Sequence, residues 1–193
     1  MKKLFYSLIL TFFFLFVTQS VYSQLNIQAG INSASVKFAI GGLSIETGST
    51  SGIHLGMNYR NRISSKFFFA PGALFSQKGA KIEDGLGDEE LKLNYLEVPL
   101  MFVYQSDAAK GFFAEGGPYL AYLLSVDDGE GDDEGYRSTD FGIGLGLGYD
   151  FGQFIIGIRG SIGISTIAED EQFLDEDVSV TNNNGMLYGA YKF

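Results

Sequence analysis

Between Thr139 and Thr166 large apolar residues alternate with glycine or polar residues almost without a break. Phe141, Ile143, Leu145, Leu147, Tyr149 and Phe151 fall in one phase. Asp140, Gly142, Gly144, Gly146, Gly148 and Asp150 fall in the other. Successive side chains of a strand point to opposite faces, so a period of two predicts a strand with one apolar face and one small or polar face. Gly152-Gln153 reads as a turn. After it Phe154, Ile156, Ile158, Ile162 and Ile164 oppose Gly157, Arg159, Ser161, Gly163 and Ser165, which completes a hairpin with a two-residue connection.

The same period recurs along the chain. Strands are expected at about 25–35, 52–62, 67–78, 91–105 and 111–126, then in the hairpin, and last at about 185–193. Pro71 inside the third of these predicts a bulge or a locally unpaired position, because proline cannot donate to the ladder. The count is even. The connections alternate: 36–51, 79–90, 127–137 and 168–184 are long, whereas 61–66, 106–110 and 152–153 are short. Outer-membrane barrels have short periplasmic turns and long outer loops. The expected fold is therefore all-β: an eight-stranded antiparallel up-and-down transmembrane β-barrel.

At 193 residues the chain has the length of one domain. Lys2-Lys3, the apolar run 4–17 and the small or polar stretch 18–23 predict a secretory signal peptide over residues 1–23, with the barrel domain over 24–193. The apolar run is too short to span a bilayer as a helix, and no later stretch is long and apolar enough. The absence of Cys excludes disulfides and thiol chemistry. A formal net charge of −10 argues against nucleic acid as a partner, since that needs a basic patch. Aromatics at 15%, 26 Gly and only 3 Pro suit many short strands.

Alternation alone does not say which face is buried. Three observations favour lipid outside. Four to six large apolar residues per strand would overfill an eight-stranded interior. The opposite phase of 140–150 is nearly all glycine, which suits a crowded lumen and would only weaken a water-exposed face. Tyr59, Tyr104, Tyr149, Phe151, Phe154 and Phe193 sit near strand ends beside the short turns, as an interfacial aromatic girdle would.

The segments YLEVPLMFVY (Tyr95 to Tyr104), GPYLAYLLS (Gly117 to Ser125) and DFGIGLGLGYDF (Asp140 to Phe151) resemble the recurring blocks of the PorT-like outer-membrane β-barrel domain. FSQKGAK (Phe75 to Lys81) resembles the segment that usually precedes them. The resemblance spans essentially the whole chain after residue 23. It implies a small outer-membrane barrel of the kind labelled "porin family", the eponymous type being linked to protein secretion. The ending LYGAYKF resembles the signal read by the barrel-assembly machinery, with Leu187, Tyr191 and the terminal Phe193 in phase. Gly185 and Gly189 stand where that signal has bulkier residues.

The inward phase carries Arg60, Glu97, Glu115 and Arg159. In a narrow lumen opposite charges are expected to pair, because lone buried charges are costly. A plug of salt bridges is the favoured reading, and an ion or proton path the alternative. His54, the only His, falls in the lumen phase with Ser51 near it in sequence, but no spacing links it to a nucleophile. The acids between Asp127 and Glu134 and between Glu169 and Asp177 do not match an EF-hand, so a solvated surface is expected. No catalytic residue, cofactor or metal is expected. The expected role is that of a non-enzymatic monomer in the outer membrane, structural or interactive through its long outer loops. Its expected partners are outer-membrane lipids, lipopolysaccharide and the assembly machinery. A narrow pore and a membrane-embedded lipid-modifying enzyme are the alternatives.

Overall fold

The computed structural model describes residues 24–40, 43–84, 87–127, 136–167 and 178–193. The expected signal peptide lies outside the described residues, as do 128–135 and 168–177 of the acidic connections. The strands are β1 Gln24–Ile40, β2 Leu43–Glu46, β3 Thr50–Arg62, β4 Phe67–Asp84, β5 Gly87–Gln105, β6 Gly111–Asp127, β7 Thr139–Asp150, β8 Phe154–Gly163 and β9 Val178–Lys192. β1 and β3 to β9 pair antiparallel in order, and β9 returns to pair with β1. The sheet thus closes as an eight-stranded barrel. Closure gives each of the eight barrel strands two partners, which a lipid setting demands because hydrocarbon offers no hydrogen bonds. β2 is a ninth, short strand that stands on the far end of β1, pairing Ile45 with Phe38 and Leu43 with Ile40.

The hairpin expected from the sequence is present. Asp150 pairs with Ile155, and Phe151 N donates to Phe154 O over 2.8 Å, so two residues turn the chain. Gly152 takes φ +103°, a conformation glycine adopts without a Cβ clash. Both ends of the described barrel come to this side: Phe193 N donates to Leu25 O over 2.9 Å. The short turns lie here too, which marks it as the periplasmic end.

The faces fall as expected. Leu145 is 69% exposed on the outer wall, whereas Arg159 is 4% exposed inside. Rings pair around the periplasmic end: Phe67 with Tyr104, Phe112 with Tyr149, Phe154 with Tyr191, and Tyr191 with Phe193, at centroid distances of 4.8–5.3 Å. Pro71 takes the second of its two expected outcomes. The β3–β4 pairing stops at Asn58 with Gly72 and resumes at Asn61 with Phe69 in the same register. A register shift at Asn94/Tyr95 inserts one extra residue, Leu124, into β6, which is a β-bulge.

Two expectations are corrected. The strands run further outward than their apolar pattern. Of the expected loop 79–90, residues 79–84 and 87–90 continue β4 and β5 as a paired extension, and 36–40 and 43–46 form another. The reason is an inversion of polarity. Above the lipid band the outward side chains become polar, as at Lys37, Asn94 and Ser125. The inward ones become apolar, as at Val36, Ala80, Leu93 and Val126. A strand that stands in water hides its apolar side within, so the membrane pattern ends although the strand does not. The lumen, for its part, holds more than glycine and charge. One apolar cluster of Val36, Ala80, Leu93, Tyr95, Tyr119, Ala121, Val126, Ile167 and Val180 fills its outer end. A second, with Phe68, Met101, Val103, Phe113, Ile155 and Tyr188, fills it toward the short turns.

Candidate functional site

The lumen charges form three groups, each spanning several strands. Toward the outer end Lys78 on β4 lies 3.2 Å from Asp140 Oδ2 on β7. It also lies 3.0 Å from Glu97 Oε2 on β5, an ion pair off the line of a hydrogen bond. The Tyr119 hydroxyl, Asn182 Nδ2 and Ser165 Oγ all donate to Asp140, over 3.2–3.4 Å. Lys78 Nζ also sits 4.2 Å from the Tyr119 ring centroid, a cation–π contact. In the middle Glu115 Oε1 accepts from Arg159 Nε at 2.8 Å, from Nη2 at 2.8 Å and from the Tyr188 hydroxyl at 3.0 Å. Nearest the short turns Lys192 Nζ lies 2.6 Å from Asp150 Oδ2, with Arg60 Nη1 3.6 Å from the same oxygen. Arg60 also donates to Gln105 Oε1 over 3.1 Å and lies over the Phe113 ring.

All four charges singled out in the sequence are buried in the lumen. Only Arg159 and Glu115 pair with one another. Glu97 takes Lys78, and Arg60 takes Asp150. Sequence reasoning missed Lys78, Asp140, Asp150 and Lys192. The signal was there for the two aspartates, which occupy the same inward phase as the glycines of β7.

His54 is buried in the lumen, and the buried Ser76 stands opposite it in the β3–β4 ladder. His54 Nδ1 is 2.6 Å from Asn32 Oδ1, and Asn32 Nδ2 donates to Ser76 Oγ and to Gln77 O. Ser51, beside it in sequence, lies on the exposed opposite face of β3. Among the described residues no three His, Cys, Asp or Glu side chains converge as a metal site would require. Outside the membrane band Ser35 Oγ donates to Glu46 Oε1 over 2.7 Å, and Asn183 Nδ2 does so over 3.4 Å. These bonds hold the Glu46 carboxyl below its ordinary pKa, the Ser35 bond most. In the turn 106–110 the Asp107 carboxylate caps the Ala109 and Lys110 amides, and its pKa is lowered for that reason.

A closed antiparallel barrel with lipid-facing aliphatics, an aromatic girdle and a salt-bridged interior is the architecture of a small outer-membrane protein. The chain belongs to the outer membrane protein beta-barrel domain family, whose model matches residues 18–169. No curated protein matches the sequence. Among solved structures the chain is similar to Ail, the attachment invasion locus protein of Yersinia pestis, in complex with the heparin analogue sucrose octasulfate. Identity is 17%, the TM-score is 0.51, and the match covers 90% of this chain and 100% of that one. It is also similar to the outer membrane protein OprG from Pseudomonas aeruginosa, with 14% identity and a TM-score of 0.52, over 89% and 96% of the two chains. The outer membrane enzyme PagL matches at 17% identity and a TM-score of 0.48, over 83% and 98%. These likenesses concern the fold.

Proposed function

We propose that this outer-membrane protein is a non-enzymatic, monomeric barrel that serves as a rigid stand for an outer interaction surface. The observation that carries this reading is the outer hairpin. Leu43 and Ile45 on β2 are 79% and 72% exposed, although they stand beyond the lipid-facing aliphatic band. β2 ends the sheet, so its second edge has no strand partner among the described residues. Exposed apolar side chains on an open strand edge are what a protein partner covers, and what a solitary protein avoids. The acidic composition of the outer connections disfavours a sulfated saccharide such as the heparin analogue in the Ail complex, because like charges repel.

Against the enzyme alternative, the Ser76 hydroxyl opposite His54 is fully buried and accepts from Asn32, which also holds Nδ1 of His54. The pore alternative meets an interior filled by two apolar clusters and paired charges. Within the family, segments 95–104, 117–125 and 140–151 support a PorT-like affiliation. The shared phase of Leu187 and Tyr191 on β9 with the terminal Phe193 supports recognition by the assembly machinery. Outer-membrane lipids are the partners of the exposed aliphatic wall.

A photo-crosslinking residue at Ile45, tested on intact cells, decides the main claim. Discrete protein adducts that disappear in the Leu43→Asp variant, at equal surface level, are expected. Adducts to lipid alone, or none, would remove the interaction role.

A further inference from the structure

We propose that the periplasmic end of the barrel holds one anionic phospholipid of the adjoining leaflet, its phosphate between Lys66 and Lys110 and an acyl chain in the groove beside Ala114. The outward face of β6 is cut back at this height. Ala114 pairs with Tyr104 on one side and with Leu147 on the other, so a single methyl stands between two large side chains in one row. A groove of about 580 Å³ results, running from Ser106 in the turn, past Ala114, toward Ile158 on β8. Phe112 and Tyr149 wall its periplasmic side, their ring centroids 4.8 Å apart. Toward mid-membrane Leu145 lies over Gly116, where a Cβ would be 2.9 Å from Leu145 Cδ2. The groove is thus bounded on both sides. Because it faces hydrocarbon, its occupant is a hydrocarbon chain.

The mouth of this groove is cationic. Gln105 N donates to Lys66 O over 2.9 Å, which sets the turn 62–66 beside the turn 106–110. Asp107 follows Ser106, and its Oδ1 accepts from the Ala109 and Lys110 amides. Those amides hold the Asp107 carboxyl below its ordinary pKa, and the charges of Lys110 and Lys66 lower it further. Both ammonium groups therefore stand near one carboxylate. Arg62 adds a third exposed cation, fixed by its bonds to Ser64 O and Ser65 O.

No other acid offsets them. Deeper at the same end Arg60 and Lys192 share Asp150. With the carboxylate of Phe193 included, Arg60, Arg62, Lys66, Lys110 and Lys192 face only Asp107, Asp150 and that terminal group. The excess is positive, although the chain has a formal net charge of −10. Each basic residue near a lipid surface favours an anionic headgroup by about fivefold. Tyr104 and Phe112 flank the same mouth, where amphipathic and aromatic rings meet headgroups. The site lies at the opposite end from the outer interaction surface and does not depend on it.

Native mass spectrometry of the barrel, released from bilayers with equal phosphatidylglycerol and phosphatidylethanolamine, tests this. One retained phosphatidylglycerol per barrel is expected. Ala114→Leu fills the groove from a lipid-facing position and should abolish retention. Lys66→Gln combined with Lys110→Gln should weaken it about 30-fold. Lys37→Gln removes a charge from the outer end and should leave it unchanged. Absence of a retained lipid, or equal retention of the two lipids, would overturn the site. So would wild-type retention in the Ala114 or the lysine variant, or a Lys37→Gln loss as large as theirs, since each describes lipid that merely surrounds the wall.

Discussion

One lysine ties three strands together inside this protein. Lys78 Nζ sits between Glu97 and Asp140, and both acids are fully buried. Lys78→Met would keep the stem and its packing and remove the charge. Two carboxylates would then face a low-dielectric interior without a cation. Losing one member of a buried ion pair costs about 3–5 kcal/mol. Urea unfolding in lipid vesicles should show a loss of that size, and an unchanged midpoint would mean the pair is dispensable. Glycines in β8 offer a contrast within one strand. A Cβ on Gly157 would lie 2.6 Å from Tyr188 Cζ, and that ring is pinned by its bond to Glu115. A Cβ on Gly160 would meet nothing within 4 Å. Gly157→Ala should therefore destabilise by about 1–3 kcal/mol through overpacking. Gly160→Ala should be neutral or gain up to about 1 kcal/mol. Equal effects in the same unfolding assay would contradict this account of the inward glycines. The inward phase itself was legible in the sequence: Arg60, Glu97, Glu115 and Arg159 all point into the lumen. Their partners were not. Arg159 and Glu115 are 44 residues apart, and Lys78 and Asp140 are 62 apart. Which acid meets which base depends on the register of strands that are not neighbours in sequence.

At the scale of the element, alternation located the eight barrel strands but misjudged where they stop. The extensions at 36–40 with 43–46 and at 79–84 with 87–90 read as loops because polarity inverts above the membrane, as at Val36 and Ala80 inside and Lys37 outside, although the backbone remains in strand. β2 illustrates what fastens such an extension. Apart from its ladder with β1, it is held by Ser35 and Asn183, both donating to Glu46. The folded Glu46 carboxyl has a lowered pKa. Its charged form therefore stabilises the hairpin above the ordinary carboxylate value of about 4.3, and that contribution is lost as pH falls through the lower folded value. Glu46 is at the surface, so solvent screens the effect and only local opening should respond. Amide exchange in β2, corrected for the intrinsic pH dependence, should quicken between about pH 6 and about pH 3. Glu46→Gln should remove the pH response. The same acceleration in the Gln variant would assign it to another group.

Taken as a whole, the molecule is a membrane barrel with the interior of a small soluble protein. An eight-stranded wall leaves inside only the space that side chains can fill. Here they fill it with Phe68, Met101, Val103 and Phe113 toward the periplasm, and with Leu93, Tyr95, Tyr119 and Val126 toward the outside. The charged groups lie among and between these clusters, and each has an opposite charge within 4 Å. A continuous aqueous path would require water to replace both apolar clusters and to separate the ion pairs. Those groups stabilise one another, so the opening would resemble partial unfolding more than gating. Planar-bilayer recording with the refolded protein should give no stable unitary conductance at moderate voltage. The instructive control is Tyr119→Ala, which removes a ring from the outer cluster together with a donor to Asp140. If the clusters are the seal, this variant should show brief, flickering openings where wild type shows none. Stable, large openings in wild type would mean that the lumen is a channel after all, and the interaction role would then have to share the molecule with transport.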